Sequence, residues 1–111
     1  MVDDDRLVRA AMVRVLKKQP GITMEDFASG DQALLRAAKA HFDVAVLDLS
    51  MPVMDGVELA EKLRVIAPAL RILFVTADPF SDLARRAQVL KPLAILPKPW
   101  PPDELARLLR S

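Results

Sequence analysis

The stretch from Val44 to Gly56, VAVLDLSMPVMDG, limits the possible folds of this chain more than any other. It begins with four apolar residues in a row and then reaches the carboxylate of Asp48. A continuous Val-rich run bounded by turn residues is typical of a strand buried on both faces of a parallel sheet. Because ligands bind outside the carboxyl ends of such strands, Asp48 is predicted to lie at a functional edge.

Helical and strand patterns alternate along the rest of the chain. Apolar residues at three- and four-residue spacing predict helices over 6–18, 33–41, 56–66, 81–90 and 102–110. Short apolar runs predict strands over 22–27, 43–48, 71–76 and 94–96. We expect the 22–27 strand near an edge, because it carries Glu25 and Asp26. The alternation predicts an α/β three-layer sandwich around a parallel sheet.

Length and composition exclude several classes of protein. The 111 residues predict one domain over 1–111. A net charge of +1 gives no electrostatic reason for direct nucleic-acid or membrane binding. The absence of cysteine excludes disulfides and thiolate metal sites and suits a reducing compartment. With no apolar run long enough to span a membrane and no signal peptide at MVDDDR, we expect a cytoplasmic protein.

Polar residues stand at the end of several short apolar runs of the chain. Asp3 and Asp4, Asp48, Thr76 and Lys98 would all meet at one edge of a parallel sheet. Three carboxylates so close together repel one another and require a cation, and oxygen ligands favour Mg²⁺ or Mn²⁺. With a lysine and a hydroxyl beside them, these residues predict a phosphoryl site in which Asp48 is the nucleophilic acceptor.

The same residues resemble a known family over nearly the whole chain, the receiver domain of two-component response regulators. The matching features are the acidic pair, the strand VAVLD, the loop MPVMDG, Thr76-Ala77 and Lys98-Pro99, in this order and at near-family spacing. The resemblance implies a flavodoxin-like sandwich with a parallel sheet of strand order 2-1-3-4-5.

The resemblance also implies a role for each matching residue. Asp48 corresponds to the phospho-accepting aspartate, and Pro99 to a proline that is often cis. Mg²⁺ would be held by Asp3, Asp4, Asp48 and the backbone carbonyl of Ser50. Thr76 corresponds to the hydroxyl that bonds a phosphoryl oxygen, and Lys98 to the lysine that pairs with the phosphoryl group.

The implied function is a signalling switch and not an enzyme, apart from self-phosphorylation and self-dephosphorylation. Its partners would be a sensor histidine kinase or phosphotransfer protein and a downstream protein target, and a homodimer is possible. A stand-alone receiver and a regulator without its effector both fit the sequence. The predicted output face carries Phe80, Leu83, Ala87, Trp100 and Leu105.

Two departures from the family pattern affect these expectations. Only Met1 and Val2 precede the acidic pair, so the inner first strand is shortened and its neighbours lose pairing partners. Either a longer form of the chain supplies the missing residues, or the domain is destabilised, or another chain fills the gap. In addition, Ile95 stands where the family usually has Phe or Tyr. We therefore expect a signal to pass through Thr76 and residues 77–80 to the helix that follows.

Two rival functions remain open at this stage. A haloacid-dehalogenase-type phosphatase also uses Asp, Mg²⁺, Thr and Lys, but it needs a second Asp where this chain has Ser50. A degenerate receiver would bind partners without being phosphorylated. We interpret Asp55 as structural, as part of an Asp-Gly turn in the loop before a helix, and His41 as a structural residue, and neither as a catalytic group.

Overall fold

A computed structural model describes residues 1–110 of the chain. The helices are α1 (Arg6–Leu16), α2 (Gly30–Ala37), α3 (Gly56–Ile66), α4 (Asp82–Gln88) and α5 (Pro102–Arg110). The strands β1 (Val44–Asp48), β2 (Arg71–Thr76) and β3 (Ala94–Pro97) form a parallel sheet in that order. The predicted bounds of α3, α5 and β2 are reproduced without change, and α1 and α4 are shorter than predicted. Helix α2 both begins and ends earlier than the predicted 33–41, so the predicted turn at Gly30 is wrong.

The N-terminal segment completes the order of the sheet with very few residues. Val2 forms parallel bridges to Phe27 on one side and to Leu47 of β1 on the other. The N–H of Val2 donates to Val46 at 2.9 Å, and the N–H of Asp48 donates back to Val2 at 3.0 Å. If the N-terminal segment is counted as the first strand and Phe27 as the second, then β1, β2 and β3 are the third, fourth and fifth. The strand order is then the predicted 2-1-3-4-5, with a shortened first strand.

The predicted strand over 22–27 is wrong over most of its length, because only Phe27 takes part in a bridge. The physical reason is the short N-terminal segment beside it. A strand requires a partner with which to exchange backbone hydrogen bonds, and the described N-terminal segment is too short to reach residues 22–24.

Side-chain caps fix where the helices begin. The carboxylate of Asp5 accepts from the N–H groups of Leu7 and Val8 at the start of α1. Asp55 accepts from the N–H of Glu58 at 2.9 Å and so caps α3, which agrees with the structural role predicted for it. Such caps satisfy backbone N–H groups that have no partner inside the helix.

Apolar residues cover both faces of the sheet, as the three-layer prediction requires. One face packs against α1 and α5 through Met12, Leu16 and Leu105. The other packs against the remaining helices, and the buried residues of α3 include the predicted inward set, Val57, Leu59, Ala60 and Leu63. Within the described residues, no helix is long and apolar enough to span a lipid bilayer.

Gly56 brings the start of α3 directly against the end of β1. Its N–H donates to the carbonyl of Leu49 at 2.9 Å. A Cβ atom at this position would overlap the carbonyl oxygen of Asp48 and lie 2.9 Å from the Cα of Leu49. Since these contacts are with backbone atoms, which cannot move aside, this close approach requires glycine.

Candidate functional site

Three carboxylates meet at the carboxyl edge of the sheet. Asp3 follows the bridge residue Val2, and Asp48 is the last residue of β1. One carboxylate oxygen from each of Asp3, Asp4 and Asp48 lies within 4.8 Å of the others. Asp3 is fully buried and Asp48 is 3% exposed, whereas Asp4 is exposed. The structure therefore brings together the three acids predicted from the strand ends.

Lys98 supplies the positive charge within this cluster. Its Nζ lies 2.9 Å from Oδ2 of Asp3 and 3.2 Å from Oδ1 of Asp48. The backbone N–H of Lys98 donates to the carbonyl of Thr76 at 2.8 Å, which fixes the lysine beside the end of β2. The peptide bond between Lys98 and Pro99 is cis, as the resemblance implies. One ammonium thus links two segments that are distant in the sequence.

The cluster has three carboxylates and one ammonium, so repulsion between its negative charges is not fully balanced. Burial and, to a lesser extent, the charge of Asp3 raise the pKa of Asp48, against the opposing effect of Lys98. Burial alone would lower the pKa of Lys98, but its contacts with Asp3 and Asp48 together raise that pKa above its usual value. A cation that joined the cluster would relieve the repulsion between the two carboxylates.

Oxygen atoms in the cluster fit a divalent cation. Oδ2 of Asp3 is buried and accepts no hydrogen bond of normal geometry from the described residues, although the Lys98 ammonium lies beside it. The available donors are carboxylate oxygens, which hard divalent cations prefer. The residues present are therefore compatible with a divalent metal ion.

The other predicted site residues lie at the same edge but make different contacts. The backbone N–H of Ser50 donates to Oδ1 of Asp48 at 3.2 Å, and the Ser50 side chain is exposed. Thr76 is buried, and its hydroxyl accepts from the N–H of Asp78 at 3.1 Å and donates to the Asp78 carbonyl at 3.2 Å. In this conformation the Thr76 hydroxyl is bonded to the loop after β2.

Arg9 supports the site, and the sequence reasoning missed it. Its Nη1 donates to the carbonyl of Asp3 at 2.8 Å, and its Nε pairs with Asp26 at 3.2 Å. The arginine thus holds the backbone of the acidic pair against the segment that carries Phe27. It lies one turn after the Asp5 cap on α1, but helical spacing alone does not indicate which backbone carbonyl it contacts.

The predicted output face is partly wrong. Ala87 and Leu105 are fully buried, since they point into the two layers of core instead of outward. Phe80 is 88% exposed, and Leu83 and Trp100 are half-buried. The exposed part of this face is therefore smaller than the predicted set.

Comparisons with known proteins agree with this architecture. A model of the response regulator receiver domain family matches residues 1–110. The response regulator receiver protein CpdR of Brucella abortus is 35% identical over 96 residues, which cover 81% of this chain and 79% of that protein. Sporulation initiation phosphotransferase F of Bacillus subtilis is 31% identical over 105 residues, which cover 95% of this chain and 84% of that protein.

Similarity extends to solved structures and to longer proteins. The chemotaxis protein CheY4 of Vibrio cholerae superposes with a TM-score of 0.86 at 31% identity, covering 98% of this chain and 92% of that one. A protein-glutamate methylesterase of Paramagnetospirillum magneticum is 32% identical over 109 residues, but the match spans only 29% of that protein.

The chain belongs to the response regulator receiver domains. It is therefore a phosphorylation-switched signalling receiver with the flavodoxin-like α/β fold. Receiver domains interact with histidine kinases and phosphotransfer proteins.

Proposed function

We propose that Asp48 accepts the phosphoryl group, that Lys98, Asp3 and Asp4 serve that transfer, and that the Thr76 hydroxyl bonds an oxygen of the transferred group. The observation that carries the proposal is the contact between a buried carboxylate and the partly buried ammonium of Lys98. Asp48 is 3% exposed, and the ammonium of Lys98 lies 3.2 Å from its Oδ1. A carboxylate at the end of a buried strand, beside a lysine that can neutralise phosphoryl oxygens, is arranged for phosphoryl transfer.

The transfer exchanges one bond for another at phosphorus. The P–N bond of a phosphohistidine on a histidine kinase or phosphotransfer protein breaks, and a P–O bond to Asp48 forms. The ammonium of Lys98 and the Ser50 N–H both engage Oδ1, so we assign the attack to Oδ2. The imidazole of the donor leaves with the electron pair of the broken bond. Water later attacks phosphorus, releases inorganic phosphate and regenerates the carboxylate.

Asp3, Asp4, Asp48 and the backbone carbonyl of Ser50 would hold Mg²⁺, with Mn²⁺ as an alternative. When bound, the ion supplies positive charge that neutralises the phosphoryl oxygens during transfer. Asp3 contributes a buried oxygen, and Arg9 keeps the acidic pair in position through the Asp3 carbonyl. The chain would work in the cytoplasm, where its kinase partner presents the phosphohistidine.

The output passes through the loop after β2. The Thr76 hydroxyl is bonded to both backbone groups of Asp78, while the Asp78 carboxylate accepts from the N–H of Phe80 at 3.0 Å. The carbonyl of Asp78 also accepts from the N–H of Ser81, which caps α4. If the Thr76 hydroxyl turns to a phosphoryl oxygen, its two bonds to Asp78 break, and the loop that Asp78 joins to the start of α4 is free to shift. Exposed Phe80 then contacts the downstream protein differently.

Acetyl phosphate with Mg²⁺ tests the acceptor, with intact mass as the readout. The native chain should gain one phosphoryl group, whereas Asp48→Asn should gain none. Asp55→Asn is the matched control, because asparagine still caps α3 and the carboxylate of Asp48 is kept. A folded native chain that gains no phosphoryl group would favour the degenerate, binding-only receiver.

Amide chemical shifts test the output route. On phosphorylation we expect the amides of α4 to shift in the native chain. In Thr76→Val the phosphoryl group should still be gained, but the α4 shifts should be lost. Equal α4 shifts in both proteins would contradict the route through the Thr76 hydroxyl.

A further inference from the structure

The backbone of the acidic pair leaves the sheet directly after the bridge residue Val2. The N–H of Asp3 donates to the carbonyl of Phe27 at 3.2 Å. The carbonyl of Asp3, which belongs to the peptide unit that joins it to Asp4, accepts from Nη1 of Arg9 at 2.8 Å. Because a peptide unit is planar, this bond fixes the direction in which the chain enters Asp4. Asp4 is exposed, so its position at the site depends on that direction.

Arg9 is in turn held by Asp26. Nε of Arg9 lies 3.2 Å from Oδ2 of Asp26, and the arginine side chain is 16% exposed while that of the aspartate is 40% exposed. The guanidinium therefore contacts two groups at once, each through a different nitrogen. Since a guanidinium is rigid and planar, a bond at Nε fixes the direction in which Nη1 points. The Asp26 carboxylate thus acts on the Asp3 carbonyl through Arg9.

A second ion pair in the same segment provides an internal comparison. Glu25 directly precedes Asp26 and pairs with Nε of Arg36 at 2.9 Å. Arg36 belongs to α2, which packs on the opposite face of the sheet from α1. The side chain of Glu25 is 40% exposed, as is that of Asp26. The two carboxylates have the same charge and the same exposure, but of the two only Asp26 is linked through an arginine to Asp3.

We propose that Arg9 and Asp26 are positioning residues for divalent-cation binding, which hold the Asp3–Asp4 peptide so that the carboxylates of Asp3, Asp4 and Asp48 meet. The inference rests on the metal site proposed above and adds to it two residues that are not ligands. Groups that orient metal ligands from outside typically change the affinity by about tenfold or more. Glu25 and Asp26, which the sequence analysis treats alike as signs of an edge, thus have different roles.

The sign of the effect of Arg9 separates positioning from simple electrostatics. The guanidinium is a positive charge, so by Coulomb's law its removal makes the site more attractive to a cation. Positioning predicts the opposite sign. Without Arg9 the Asp3–Asp4 peptide is free to turn, and ordering it on binding lowers the affinity for the cation.

Titration with Mn²⁺, followed by the EPR signal of the free ion, measures the affinity without any phosphorylation. We expect Arg9→Met to weaken Mn²⁺ binding about tenfold, and Asp26→Asn to weaken it about threefold because asparagine cannot supply the charge that pairs with Arg9. Glu25→Gln is the matched control, since it removes one carboxylate charge and one exposed ion pair from the same segment. It should change the Mn²⁺ affinity by less than about 1.5-fold, while its urea midpoint falls to the same small extent as that of Asp26→Asn.

Tighter or unchanged Mn²⁺ binding in folded Arg9→Met would overturn the proposal, and so would equal losses of affinity in Asp26→Asn and Glu25→Gln. If Arg9→Met does not fold, the comparison of Asp26→Asn with Glu25→Gln decides. A native chain that binds Mn²⁺ no more tightly than its variants refutes the positioning role and leaves the proposed metal site intact. A native chain that binds no Mn²⁺ refutes the metal site itself, and the positioning role with it.

Discussion

Replacing the carboxylate of Asp48 with an amide is predicted to stabilise the fold while it removes the phosphoryl acceptor. The side chain is 3% exposed, so its charge is largely removed from water. That charge interacts with the Lys98 ammonium at 3.2 Å and with a carboxylate oxygen of Asp3 within 4.8 Å. In Asp48→Asn, Lys98 keeps its other partner, Asp3, at 2.9 Å.

The size of the effect follows from these distances. With an effective dielectric constant of about 20, the attraction to Lys98 is about 5 kcal/mol and the repulsion from Asp3 is at least about 3.5 kcal/mol. Their difference is smaller than the cost of burying a carboxylate, which is several kcal/mol. The raised pKa of Asp48 has the same sign, because burial and Asp3 outweigh Lys98. We expect Asp48→Asn to increase the free energy of unfolding by about 1–2 kcal/mol at neutral pH.

Urea unfolding followed by circular dichroism, in EDTA, measures this difference. Folding raises the pKa of Asp48 above its unfolded value of 3.8. Below pH 3.8 the carboxyl group is protonated in both states, so burying it carries no charge penalty. The penalty grows as the pH rises from there through the pKa of the folded state. The gain in the variant should therefore shrink towards pH 3.8. Glu61→Gln, which removes an exposed carboxylate from α3, should change stability by less than about 0.5 kcal/mol. A less stable Asp48→Asn at neutral pH would refute the reasoning, because the Lys98 ion pair would then dominate.

Two further predictions concern stability. Gly56→Ala should lower the free energy of unfolding by about 1–3 kcal/mol in urea titrations, because its Cβ meets the backbone of Asp48 and Leu49; an unchanged midpoint would show that α3 can move away. Burial lowers the pKa of the Met1 amino group to about 6 from 8.0. Between pH 6 and pH 8 the unfolded chain therefore binds more protons than the folded chain, and the free energy of unfolding should rise by about 2 kcal/mol over that range. A chain extended by Gly-Ser-Gly-Ser ahead of Met1, in which the Met1 nitrogen is an amide, should lack that rise. A rise of equal size in both chains would contradict the assignment to Met1.

The elements that the sequence predicts best are those with local signals at both ends. The Asp55 cap and the Ala67-Pro68 stop fix α3, and the uninterrupted apolar run from Ile72 fixes β2. The segment 22–27 has three apolar residues among six, and its state depends on a partner strand elsewhere in the chain. No local pattern contains that information, which is why this prediction failed.

The site was predictable as a set of residues but not as a set of contacts. Strand ends alone bring Asp3, Asp48 and Lys98 to one edge, and the structure has all three in contact. The triplet of aspartates does not reveal that Asp3 is fully buried while Asp4 is exposed. Nor does it reveal that the Thr76 hydroxyl bonds to Asp78, because that depends on a side-chain rotamer and on the path of a loop.

The most direct test of the account is the site of phosphorylation by a biological donor. A phosphotransfer protein carrying phosphohistidine is mixed with this chain and Mg²⁺, and the product is reduced with borohydride, which converts an aspartyl phosphate into homoserine. Peptide mapping should find homoserine at position 48 and at no other aspartate. Homoserine at Asp3 or Asp55, or transfer that persists unchanged in Asp48→Asn, would contradict the central claim that Asp48 is the acceptor.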